Sequence, residues 1–168
     1  MSIRTVVGDD DGGFRAAVID VLEADPRFAV VGEAANGAEL AEVAATTHPD
    51  LVLLDVRMPS GGPSAARALT EVDGDPGRWA TRPLVVALSA ETAPEVVASM
   101  LQAGVVGYLA KGRLGASLPD VLVRVTEGEV MVAVPTGIHA LRHLLQHRRD
   151  PAAAPIDDRA LEGRAGDA

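Results

Sequence analysis

Polar residues that could do chemistry stand in this sequence directly after short apolar runs: the acidic triplet Asp9-Asp10-Asp11, then Asp55, Ser89 and Lys111. Carboxylates crowded together repel one another and raise each other's pKa unless a cation sits among them. A hard divalent ion such as Mg2+ relieves that repulsion, takes oxygen ligands and keeps positions open for phosphate oxygens. A carboxylate beside such an ion can attack a phosphoryl donor. The ion and Lys111 would then neutralise the transferred group, while Ser89 donates a hydrogen bond to one of its oxygens. Taken singly, each residue has a plainer use. Asp11 before Gly12-Gly13 reads as a helix N-cap, Asp9 and Asp10 as capping or turn residues, Ser89 as a turn residue and Lys111 as a solvated lysine. Their joint occurrence at separate strand ends favours a common site.

The elements that must position them follow from hydrophobic patterning. Apolar runs of strand length recur at Ile3 to Val7, Phe28 to Gly32, Leu51 to Leu54, Leu84 to Leu88 and Val105 to Leu109. Between and after them lie stretches of helical period: Phe14 to Ala24, Ala38 to Thr46, Ser64 to Val72, Ala93 to Ala103 and Leu118 to Glu127. Continuous apolar strands separated by amphipathic helices predict a parallel sheet covered on both faces. The expected fold is therefore α/β, a five-stranded, doubly wound sheet of order 2-1-3-4-5. In such a sheet ligands bind beyond the carboxyl ends of the strands, and strands one and three are neighbours, which brings Asp9 and Asp10 towards Asp55. Local signals mark the boundaries. Thr92 and Glu95 can form a capping box with Pro94 in the first turn. Asp25-Pro26 and His48-Pro49 end helices, and Gly104 suits a helix C-terminus.

Composition narrows the function. The 168 residues carry a net charge of −9 and only 2% aromatics, so the core is built from Ala, Val and Leu, and broad contact with nucleic acid or anionic lipid is disfavoured. There is no cysteine, which excludes disulfides and thiolate metal sites. The first apolar run is too short for a signal peptide core or a membrane span; a cytoplasmic location is expected.

Four segments together resemble the receiver domain of two-component response regulators, the CheY-like family: VVGDDDGGFR, PDLVLLDVRMP, LVVALSAE and AGVVGYLAKG. With their helices they span roughly residues 1 to 130, the expected receiver domain. The resemblance implies a flavodoxin-like fold and assigns roles. Asp9 and Asp10 correspond to the acidic pair that holds Mg2+, Asp10 as the direct ligand and Asp9 through water. Asp55 corresponds to the phosphoacceptor, and the backbone carbonyl of Arg57 to the remaining metal ligand. Ser89 and Lys111 match the hydroxyl and lysine positions, and Tyr108 the aromatic switch that turns inward as the hydroxyl moves towards the phosphoryl group. The implied function is a signalling switch that accepts a phosphoryl group from a histidine kinase or phosphotransfer protein. It takes up and loses that group rather than acting as a turnover enzyme. The sequence departs from the family's pattern at Gly62-Pro63, after the Met-Pro turn, and at Gly112, where many relatives have proline.

Two stretches fall outside the five-unit rhythm. Asp73 to Arg82 reads as a polar surface loop. After residue 130 a helical extension is expected over 131–150, with a helix from Gly137 to Arg149, followed by a disordered tail over 151–168. No second three-helix, DNA-binding pattern is legible there. On the extension Leu141, Leu144 and Leu145 form an apolar stripe. His139, His143 and His147 recur at i, i+4 and i+8, a spacing that could grip a transition metal but reads first as a solvated face. Such a helix could also serve dimerisation or partner docking. Output is expected through a downstream protein or a homodimer at the face made by helix four, strand five and helix five, around Ala93 to Met100, Tyr108 and Ser117 to Arg124. Two rival functions remain: a degenerate, unphosphorylated receiver acting as a binding module, and a haloacid-dehalogenase-like phosphohydrolase with Asp9 as nucleophile.

Overall fold

The structure, a computed structural model, describes residues 1–71, 82–135 and 137–147. Strands β1 (Ile3–Gly8), β2 (Phe28–Ala34), β3 (Leu51–Asp55), β4 (Leu84–Ser89) and β5 (Gly107–Ala110) alternate with helices α1 (Gly12–Glu23), α2 (Gly37–Thr47), α3 (Gly62–Thr70), α4 (Pro94–Gln102) and α5 (Leu118–Thr126). All strands are parallel, in the predicted order, and β3 is buried along its whole length because its neighbours β1 and β4 flank it and helices cover both faces. The sequence missed one strand. β6 (Met131–Ala133) extends the sheet beyond β5 to give six strands in the order 2-1-3-4-5-6, and α6 (Gly137–His147) follows it.

Two cores flank the sheet. On one face Val6, Val52, Leu54, Val85 and Ala87 pack under α2, α3, α4 and Ala140 of α6; on the other Val7, Leu53, Val86 and Leu88 pack under α1 and α5. The layering is the answer to strands that are apolar on both sides.

Several boundary signals act as expected. Asp11 caps α1, its carboxylate accepting from Gly13 N and Phe14 N. His48, held before Pro49, ends α2 in the left-handed region at φ 47°. Gly104 follows α4 at φ +90°, where a Cβ would also meet Thr70 at 2.9 Å. The N-cap of α4 is Ala93 rather than the expected Thr92. α4 starts after Ala93 with no side-chain cap, and the Glu91 carboxylate accepts from Thr92 N and Ala93 N instead, because Pro94 at the first turn shifts the helix start onward. The expected Asp73–Arg82 loop, apart from Arg82, and the tail over 151–168 lie outside the described residues. Of the histidine face, only the exposed His139 is described at side-chain level.

Candidate functional site

The C-terminal ends of β1, β3, β4 and β5 converge, so Asp9, Asp55, Ser89 and Lys111 face one crevice. Parallel register does this directly: Gly8 pairs with Leu54, so Asp9 and Asp55 follow at one level, and Ser89 pairs with Ala110, the residue before Lys111. Asp9 and Asp55 are buried, at 1% and 3% exposure, while Asp10 is exposed at the mouth. Carboxylate oxygens of Asp9, Asp10 and Asp55 lie within 4.8 Å of one another.

Lys111 ties the buried pair together. Its Nζ stands 2.6 Å from Asp9 Oδ2 and 3.3 Å from Asp55 Oδ1. Burial alone would lower the Lys111 pKa, but the contact with Asp9 and the charges of Asp55 and Asp9 outweigh it and raise the value. Burial pushes the Asp55 carboxyl up to about 6; Lys111 opposes this, Asp9 adds to it, and the Arg57 N–H opposes it. A single ammonium thus leaves the carboxylate cluster short of positive charge.

That deficit is the test of whether a cation fits. Asp9 Oδ2 is a buried oxygen that accepts no directed hydrogen bond and is held only by its ion pair. Oxygen ligands alone, one of them at the solvent-facing mouth, match the preference of a hard divalent ion. The residues therefore suit a hard divalent cation.

Around the reacting groups the structure adds residues that the sequence reading did not single out. The face of Phe14 lies 4.5 Å from Lys111 Nζ, a cation–π contact that helps hold the ammonium in place. Arg15 donates to the Asp9 carbonyl and pairs with Glu33, anchoring the acidic turn. Glu91 is a junction. Its N–H donates to Ser89 Oγ at 3.0 Å, its carbonyl accepts from Tyr108 Oη at 2.7 Å, its carboxylate accepts from Thr92 N and Ala93 N just before α4, and the same carboxylate meets Arg57 at 3.4 Å. Tyr108 is fully buried, its ring inward, and burial raises its pKa while a hydrogen bond to Ser89 works in the opposite sense. The only local signal for Phe14 and Arg15 was their place one helical turn past Asp10 and Asp11. Glu91 carried none, since its role depends on backbone atoms.

The response regulator receiver domain family model matches residues 5–122. The probable transcriptional regulatory protein NarL of Mycobacterium tuberculosis is 32% identical over 161 residues, 95% of this chain and 71% of that protein. The solved receiver domain of NarL from Mycobacterium tuberculosis superposes with a TM-score of 0.67 at 32% identity, covering 76% of this chain and 98% of that one. A protein-glutamate methylesterase/protein-glutamine glutaminase of Pseudomonas putida is 35% identical over 112 residues, but these make up 66% of this chain and 29% of that enzyme. The match to that enzyme thus covers under a third of its length. No helix among the described residues is long and apolar enough to cross a membrane. The acidic crevice at the strand ends and the family match over the same elements lead to one statement: this chain belongs to the response regulator receiver domain family.

Proposed function

We propose that the chain is a phosphorylation-dependent switch of a two-component system, acting in the cytoplasm, with Asp55 as phosphoacceptor. The observation that carries the reading is the placement of Asp55: buried, 3.3 Å from the Lys111 ammonium and clustered with Asp9 and Asp10. Asp9, Asp10, Asp55 and the backbone carbonyl of Arg57 would hold Mg2+, which supplies charge neutralisation for the incoming phosphoryl oxygens.

This chain's own part is nucleophile and charge relay. A carboxylate oxygen of Asp55 attacks the phosphorus of a phosphohistidine, the N–P bond breaks, and the leaving imidazole keeps the electron pair and takes a proton from solvent. Lys111 follows the charge from the carboxylate to a phosphoryl oxygen, and the Ser89 hydroxyl turns to donate to another. Ser89 then no longer accepts from Glu91 N, so the Glu91 junction, Tyr108 and the start of α4 respond together. The donor is a histidine kinase or phosphotransfer protein, and the readout is by protein contact rather than by nucleic-acid binding of this chain.

Incubation with acetyl phosphate and Mg2+ should add one phosphoryl group by intact mass, stable in acid and labile in base, and Asp55→Asn should abolish it. Label surviving in Asp55→Asn but lost in Asp9→Asn would favour a phosphohydrolase. No label on any form would leave a degenerate binding module.

A further inference from the structure

The part of the molecule that this function does not use is β6–α6, and it sits on the face expected to give output. Val96, Val97 and Met100 of α4 point into the sheet-side core. Ala98 stands on the opposite side of the same helix, where the 100° step of a helix would leave it in solvent, yet it is 2% exposed. The neighbour placed to cover it is α6, which makes with α4 the most extensive helix–helix contact among the described elements. A small residue marks the contact: Ala140 of α6 is buried in the same core as Val96, Val97 and Met100, whereas Ile138 and Leu141 face outward.

The way this cover is attached is unusual. The β4–α4–β5 and β5–α5–β6 crossovers both step outward along the sheet, but α4 and α5 lie on opposite faces. The two crossovers therefore have opposite hands. Parallel crossovers within one sheet are right-handed in about 98% of cases, so β5–α5–β6 is the left-handed exception. Its strand is short and half-buried, Met131–Ala133, and pairs with β5 alone. A three-residue edge strand reached by the disfavoured hand is weakly held, in contrast to the wholly buried β3.

We propose that β6–α6 is a detachable strap: it covers the outward side of α4 in the resting protein, and phosphorylation of Asp55 releases it to uncover that side. The proposal rests on the receiver reading given above. The coupling runs through Glu91, whose backbone N–H meets Ser89 Oγ while its carboxylate holds the N–H groups of Thr92 and Ala93 in the turn that leads into α4. When Ser89 turns to a phosphoryl oxygen that link breaks, the α4 N-terminus shifts, and the close helix contact at Ala140 is lost. The strap thus stands where a partner helix would bind and competes with it within one chain.

The absence of cysteine gives a clean test. Ala98→Cys supplies the sole thiol of the full-length chain, read by its rate of maleimide labelling with and without acetyl phosphate and Mg2+. Slow labelling at rest and at least a tenfold rise on phosphorylation are expected, with no rise in the Ala98→Cys/Asp55→Asn double variant. Because a cysteine at this contact could itself loosen the strap, the cysteine-free wild type is examined by hydrogen exchange. Peptides over 94–102 and 131–147 should gain exchange together on phosphorylation. Unchanged exchange and unchanged labelling in protein whose mass shows the added phosphoryl group would overturn the strap and leave the receiver function standing. Failure of the mass to change would instead overturn the receiver function.

Discussion

Asp55 is poised between two opposing influences, and the balance sets how the protein responds to pH. In the unfolded chain its carboxyl has the ordinary value of 3.8, while in the native site it is pushed up to about 6. Between those values the native state holds more protons than the unfolded one, so this group's contribution to stability is present at low pH and is lost as pH rises through about 6. At about 1.4 kcal/mol per pKa unit, Asp55→Asn should stabilise the EDTA-treated protein by about 1–3 kcal/mol at about pH 7.5 and by almost nothing at about pH 4. Urea denaturation at the two pH values reads this directly. A variant equally stable with wild type at both would mean that the carboxylates do not repel. Mg2+ should raise the wild-type midpoint and leave that of the variant nearly unchanged. At Tyr108 the hydroxyl donates to the Glu91 carbonyl from a fully buried position. Tyr108→Phe should cost about 0.5–1.5 kcal/mol of stability while leaving phosphoryl uptake intact, checked by urea midpoint and intact mass. The reacting residues were legible because each directly follows an apolar run. Phe14 and Glu91 were not, because a ring face and a backbone junction leave no mark in residue spacing.

At the scale of elements, the loop that carries Arg57 is held by a contact that no pattern announces. Gly37, the first residue of α2, donates its N–H to Pro59 O, and a Cβ built on it would lie 1.6 Å from Ser60 O. The α2 start and the loop after β3 therefore touch backbone to backbone, which only glycine permits. Gly37→Ala should displace residues 59–61 and destabilise the protein by roughly 2 kcal/mol or more, as overpacking against rigid backbone does. It should also slow phosphoryl uptake, since Asp55 and Arg57 begin the same loop. Uptake at the wild-type rate would show that the loop's position is immaterial to the site. Elsewhere, hydrophobic period gave all five βα units within a few residues. It placed the start of β5 too early, because Val105 and Val106 are apolar yet precede the ladder that begins at Gly107. It missed β6 because three residues after a closed pattern carry no period at all.

For the whole molecule, the sheet order was legible because continuous apolar strands admit few arrangements, whereas the placement of α6 was not. Its expected apolar stripe runs through Leu141, Leu144 and Leu145, but Leu141 is 46% exposed and Ala140 is fully buried. The smallest side chain wins because the helices approach too closely for leucine. The consequence extends to association. Ending the chain after Glu129 would remove β6 and α6, leaving the β5 edge with unpaired backbone groups and α4 without the helix it packs against most extensively. An open edge beside an apolar helix face is a template for a second chain. Such a truncated protein should keep its α/β circular dichroism, because both cores under β1 to β5 are retained except for Ala140 and the β6-side residues. It should lose about 1–3 kcal/mol of stability, as the removal of buried contacts of this kind does, and associate more strongly than the full-length chain in sedimentation equilibrium. Equal stability and equal association would mean that the extension protects neither surface.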